Sequence, residues 1–179
     1  GDATCDQVGN DVAIDAAGNL VVGGGAAGSV DFGGGALAAT AIDMFLARFG
    51  PTGSHTWSQL IAGTFAGGAS VVQVKPYLAL GGALAVAGEM RGSVDFGGGA
   101  LTSNGQADIY VATFDPATGV HQWSANIGAS TSEIPQDLSM DGSGSLVVSG
   151  TMLGAFDAGG GTLPYDAFSD VFVVVLDAS

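Results

Sequence analysis

The ten residues GSVDFGGGAL occupy Gly28–Leu37 and return, letter for letter, at Gly92–Leu101. A diverged third copy, GAFDAGGGTL, fills Gly154–Leu163. Their aspartates, Asp31, Asp95 and Asp157, are 64 and 62 residues apart. A block beginning with aspartate follows each copy: DMFLARF from Asp43, DIYVATFD from Asp108 and DVFVVVLD from Asp170. Another precedes each: NLVVGG from Asn19, ALAVAG from Ala83 and SLVVSG from Ser145. Self-similarity at a fixed period is the mark of a repeat architecture, so the chain reads as one repeat domain over 1–179. Its units run approximately over 1–63, 64–128 and 129–179.

Each unit holds short apolar runs bounded by Gly, Pro, Asn and Asp. The first run is VAID at Val12–Asp15, matched by YLAL at Tyr77–Leu80 and DLSMD at Asp137–Asp141. LVVGG, the glycine-rich loop and MFLARF follow, then a turn, GPTGS or DPATG, leads to HTWSQL from His55 or HQWSANI from His121. Runs of this length, rich in Val, Phe, Tyr and Trp between turn signals, predict strands. No helix longer than a turn is expected.

The predicted fold class is therefore all-β, with about three four-stranded antiparallel repeats. The last is incomplete, because the His- and Trp-bearing run occurs only twice. Small sheets that are apolar on both faces bury them by stacking, which is how β-propeller blades pack. A three-fold β-prism or β-trefoil is the alternative.

The order "strand, D-x-x-G-N, L-V-V-x-G, long loop, G-x-x-D-I-Y-V-A-x-F-D, P-x-G, W-S" resembles the bacterial SBBP-type β-propeller repeat. It looks most like the form found in secreted and surface proteins of myxobacteria and related groups. Asp15, Gly18, Asn19, Asp108–Asp115, Pro116, Gly119, Trp57 and Trp123 carry the match. The resemblance covers essentially the whole chain and implies propeller blades. It implies no particular activity, because that family is defined by its repeat and not by an active site. Two departures stand out: Ala79 and Ala83 replace the Asp and Asn of the first turn in the middle unit, and the third unit lacks its fourth run. Four blades are about the minimum for a closed ring. The chain is thus a segment of a longer one, or copies associate, or the three units close differently.

Composition narrows the function classes. Seventeen acidic residues against three basic ones give a net charge of −14. Arg48, Lys75 and Arg91 cannot neutralise a phosphate backbone, so nucleic acid is excluded as a partner, and an anionic membrane surface is disfavoured. Fifteen of the acids are Asp, a turn-former, and only Glu89 and Glu133 are Glu. Near-absence of Lys fits an extracytoplasmic protein, secreted or on the cell surface, kept soluble by negative charge; salt tolerance is a second reading. Cys5 is the single cysteine, so no intrachain disulfide is expected. It reads as a bystander, or as a link between chains in an oxidising compartment. No run of 18 apolar residues is present to cross a bilayer, and GDATCDQVGN lacks the marks of a signal peptide.

The chemistry-bearing residues are few. His55 and His121 recur two positions before Trp57 and Trp123, which makes them parts of the repeat. One Cys and two His make no zinc site. Calcium is the one metal whose chemistry the chain suits: Asp15, Asn19, Asp31, Asp95, Asp141 and Asp157 offer hard oxygens on glycine-rich loops. The plainer reading is that each Asp caps its own turn. The GGG loops lack the Lys and following helix of a phosphate cradle. No cofactor is expected. The leading function is a non-enzymatic binding or scaffolding module whose partner is another polypeptide, a second copy or a larger assembly. The alternatives are a carbohydrate-binding lectin, for which Phe32 and Phe96 match but Ala158 replaces the third aromatic, and a hydrolase or lyase with a carboxylate-lined cleft.

Three geometric expectations follow. Phe45, Tyr110 and Phe172 share one orientation, with Ala47, Ala112 and Val174 on the same face. Trp57 and Trp123 lie on fourth strands. Val171, Val173 and Val175 form an interface, since an open apolar strand is an aggregation hazard.

Overall fold

The computed structural model describes residues 6–65, 74–166 and 168–177. Cys5 lies outside them. Within them the chain is all-β, with no helix, and its antiparallel sheets do not close on themselves.

The first sheet is a meander of β1 (Gln7–Ile14), β2 (Leu20–Asp31), β3 (Ala36–Phe49) and β4 (His55–Ile61), in that order. The second has six strands, not the four expected. β6 (Tyr77–Leu80), β7 (Leu84–Asp95), β9 (Asp108–Phe114) and β10 (His121–Ile127) repeat the meander. Two short strands, β5 (Gly63–Phe65) and β8 (Ala100–Thr102), pair with the far end of β7. The third sheet is β11 (Glu133–Met140), β12 (Leu146–Met152) and β15 (Asp170–Leu176), with the small hairpin β13 (Phe156–Asp157) and β14 (Thr162–Leu163) between the last two. Among the described residues it has no fourth strand.

The register supports the alignment of the third runs. Phe45 faces Gly24, Tyr110 faces Gly88 and Phe172 faces Gly150. Two residues on, Ala47, Ala112 and Val174 face Val22, Val86 and Val148. All three aromatic side chains are buried. Trp57 and Trp123 stand on β4 and β10, opposite Arg48 and Thr113.

The first runs need correcting. Val12, Leu78 and Leu138 are the equivalent residues, paired with Val22, Val86 and Val148. Ala79 is therefore a strand residue opposite Ala85 and does not replace Asp15. The middle unit turns on Gly81–Ala83, where Gly81 N–H donates to the Ala83 carbonyl. Its loop is two residues shorter than Asp15–Asn19, and a gap of that length leaves no signal in apolar spacing.

Alternation along the middle sheet builds two cores. Val86, Tyr110, Ala112 and Phe114 cluster with Met44, Leu46 and Ile61 of the first sheet. Their neighbours Ala85, Ala87, Ile109 and Val111 cluster with Leu138, Leu146, Val148 and Phe172 of the third. Every residue of β9 is consequently buried. Burying a Val, Leu or Phe side chain stabilises by roughly 1.5–3 kcal/mol, so this doubly covered sheet dominates the stability. Face-to-face stacking leaves two outer faces, one on the first sheet and one on the third.

Candidate functional site

The glycine-rich loops are tight hairpin tips, each closed by its own aspartate. Asp31 Oδ1 accepts the N–H groups of Gly33 (2.7 Å) and Gly35 (3.1 Å). Asp95 does the same with Gly97 and Gly99, and Asp157 with Gly159 and Gly161. The outer glycines of each triplet have φ between 104° and 114°, the left-handed region that side chains disfavour. The middle glycine has a different reason. A β-carbon on Gly34 would meet the imidazole of His55, and one on Gly98 the imidazole of His121. Each imidazole also stands edge-on to the last aromatic of the third strand, Phe49 or Phe114, at 6.0 Å.

The other turns are sealed in the same manner. Asp15 accepts the N–H groups of Ala17 and Asn19 on Oδ1, and the Asn19 side-chain amide on Oδ2 at 2.8 Å. The Asn19 hydrogen bond holds the Asp15 carboxyl below its ordinary value. Asp141 binds the hydroxyl and N–H of Ser143 and the N–H of Ser145, and the Ser143 hydroxyl likewise lowers its pKa. Asp115 closes its turn on Thr118, whose hydroxyl lowers its pKa. Of the six calcium candidates only Asp15 and Asn19 meet; Asp31, Asp95, Asp141 and Asp157 each occupy a separate turn. Among the described residues no group of three or more His, Cys, Asp or Glu comes together to hold a metal ion.

The tip aromatics Phe32 and Phe96 pack against the rings of the third strands. Phe96 is buried, 5.0 Å from the Tyr110 ring. Phe32 covers Phe45 at 4.8 Å. In the third unit Phe156 takes this place against Phe172, at 5.5 Å, although it stands two residues earlier than Ala158. A shift of two keeps a strand residue on the same face, so the ring is conserved in space while it moves in sequence.

Two polar features escaped the sequence reading. Asp108, fully buried, accepts the Asn104 N–H (2.7 Å) and the Asn126 amide (2.8 Å) on Oδ2. Its Oδ1 and the Asn126 Oδ1 have no hydrogen-bond partner. Glu133, equally buried, accepts the Ala129 N–H and the Thr131 hydroxyl. Asp170 caps the equivalent loop at Asp166, and Asp43 accepts the Thr40 N–H within β3, which the aspartate repeated in each third run could have signalled.

The second feature joins units. The Trp57 indole N–H donates to the Pro116 carbonyl (3.0 Å), and Gln59 to the Gly119 carbonyl (3.2 Å). Arg48 reaches the same Pro116 carbonyl and pairs with Asp15 at 3.4 Å. Asp11 accepts the Leu78 N–H of the next unit (2.8 Å). The equivalent tryptophan, Trp123, instead lines an open cleft with Gly82, Thr113, Met140 and Asp177. Val171, Val173 and Val175 stand exposed on the outer face of the third sheet.

No protein-family model matches the chain, and no curated protein matches it either.

Proposed function

We propose that the chain is a non-enzymatic binding or scaffolding module of a secreted or cell-surface protein. On this reading its sheets are successive blades of the SBBP-type propeller repeat, and it works by docking a further sheet of the same kind on its outer faces. One observation carries the reading. Val12 is 53% exposed, yet its equivalents Leu78 and Leu138 are 7% and 5% exposed. Val173 is 59% exposed, yet Val111 and Leu46 at the same register are 0% exposed. The outer faces thus present the positions that the stack buries twice inside, and exposed apolar sheet faces of this kind mark interaction surfaces.

The use of the carboxylates supports a binding role over a hydrolase or lyase. Asp15, Asp31, Asp95, Asp115, Asp141 and Asp157 all accept turn amides. Burial of Phe96 likewise favours a packing role for the tip aromatics over a sugar-stacking one.

Sedimentation or light scattering tests the reading with a second copy as the docking sheet. Two chains of charge −14 repel, and salt screens that repulsion while leaving apolar contact intact. Association should therefore strengthen as salt is raised, and Val12→Lys or Val173→Lys should abolish it. A monomer at every salt and protein concentration would overturn the proposal.

A further inference from the structure

Asp108 and Glu133 are each 0% exposed. They belong to different units, yet both press on the place that a side chain at residue 128 would fill. A β-carbon on Gly128 would stand 2.5 Å from Asp108 Cγ and 2.8 Å from Glu133 Oε2. We propose that these two carboxylates, with the side-chain oxygen of Asn126, bind a hard divalent cation, Ca²⁺, where the second sheet passes into the third. The inference goes beyond the docking reading and does not depend on it.

Hydrogen bonds account for only part of this oxygen set. Asp108 Oδ2 accepts the Asn104 N–H and the Asn126 amide, while Asp108 Oδ1 is sealed from solvent and has no partner among the described residues. Asn126 Oδ1 is equally sealed and equally without a partner. Glu133 accepts one hydrogen bond on each oxygen, from the Thr131 hydroxyl and the Ala129 N–H. The turn aspartates differ, because Asp31 and Asp141 are exposed and water can serve their remaining lone pairs.

Charge points the same way. A buried carboxylate is costly unless a positive group pairs with it. Arg48 pairs with Asp15, Arg91 pairs with Glu89, and Lys75 is exposed beside Asp11 and Asp137. None of the three basic side chains is engaged with Asp108 or Glu133. A divalent cation supplies the missing charge and the missing partner for Asp108 Oδ1 and Asn126 Oδ1 together. Carboxylate and amide oxygens are hard donors, and the adaptable shell of Ca²⁺ accepts such a mixed set.

The surroundings suit a structural ion. The loop before β9 and the connection from β10 to β11 already touch: Gln106 N–H donates to the Thr131 carbonyl, and Glu133 N–H to the Ala107 carbonyl. Asn104 and Ser130, next to these bonds, are exposed, so the oxygens lie just beneath the surface. The first unit lacks the same set. Leu60 opposes Phe45 as Asn126 opposes Tyr110, and Ala62 follows Ile61 as Gly128 follows Ile127.

Calorimetric titration of Ca²⁺ into the chelator-treated chain tests this. Saturable one-to-one binding that raises the melting temperature is expected. Affinity for Ca²⁺ follows ligand charge, so Asp108→Asn and Glu133→Gln, which keep the side-chain shape, should each weaken binding about tenfold or more. Asp31→Asn, at a hairpin tip, should leave binding unchanged. In the unaltered chain Ca²⁺ should shift the NMR signals of the Asn104 N–H and the Asn126 side-chain amide, a readout that stands even if a variant fails to fold. Absence of saturable binding overturns the proposal and leaves the two carboxylates to share a proton. Binding that survives both carboxylate substitutions, or that leaves the Asn104 and Asn126 signals in place, puts the ion on a surface turn and overturns it as well.

Discussion

A β-carbon on Gly88 would collide with the phenol of Tyr110, its register partner on the adjacent strand. The aromatic of the third strand lies flat across a glycine of the second, and Phe45 over Gly24 and Phe172 over Gly150 repeat the arrangement. Gly88→Ala should therefore overpack the core and destabilise by about 1–3 kcal/mol. Gly82→Ala, which meets nothing within 4 Å, is the control and should be nearly neutral. Thermal unfolding checks the difference, and equal melting points would mean that the ring moves freely.

The turn aspartates make stability depend on acid pH. Hydrogen bonds from Asn19, Thr118 and Ser143 lower the folded-state pKa of Asp15, Asp115 and Asp141 below 3.8. A depressed carboxylate favours the folded state above its unfolded pKa, and that contribution fades as pH falls through the folded value. Stability should thus be flat above about pH 5 and decline below about pH 4. Thr118→Val should return the Asp115 titration, followed by carboxyl NMR, toward 3.8. An unmoved titration would show that the hydroxyl is not the cause.

Burial separates the equivalent aspartates Asp108 and Asp170. Asp108 is fully buried and makes two hydrogen bonds, whereas Asp170 is partly exposed and caps one amide. Asp108→Ala should cost about 1–3 kcal/mol by removing the hydrogen bonds that its carboxylate accepts from Asn104 and Asn126, and Asp170→Ala less. Urea denaturation of both variants gives the order.

Trp57 and Trp123 are equivalent in sequence and unequal in bonding. Trp57→Phe loses the bond to the Pro116 carbonyl and should cost about 0.5–1.5 kcal/mol. Among the described residues Trp123 makes no such bond, so Trp123→Phe should fall within about 0.5 kcal/mol of wild type. A reversed order would contradict the inter-unit contact.

Periodicity made much of this architecture readable. The facing of Tyr110 and Phe172 followed from aligning repeats, because a period of two leaves no freedom once one residue is placed. Other relations left no local signal. The Gly81–Ala83 turn is shorter than its counterparts, so alignment by apolar runs slipped at Leu78. Phe156 serves where Ala158 was expected because a shift of two along a strand is invisible to position-by-position comparison. Asp11 reaches the Leu78 amide 67 residues away, a pairing that only stacking creates. The strand β5 is three residues long, too short for any pattern.

Each glycine-rich hairpin is closed by an aspartate from within its own ten residues. A copy of that segment carries its closure with it and needs no matching change elsewhere in the chain. Duplication of such a unit is therefore structurally silent in the closure of the loop, and the demands of a new copy fall on what packs against it, the sheet faces and the imidazole over its middle glycine. The identity of Gly28–Leu37 and Gly92–Leu101, beside far more varied strand sequences, is what a lineage growing by tandem copying would leave behind.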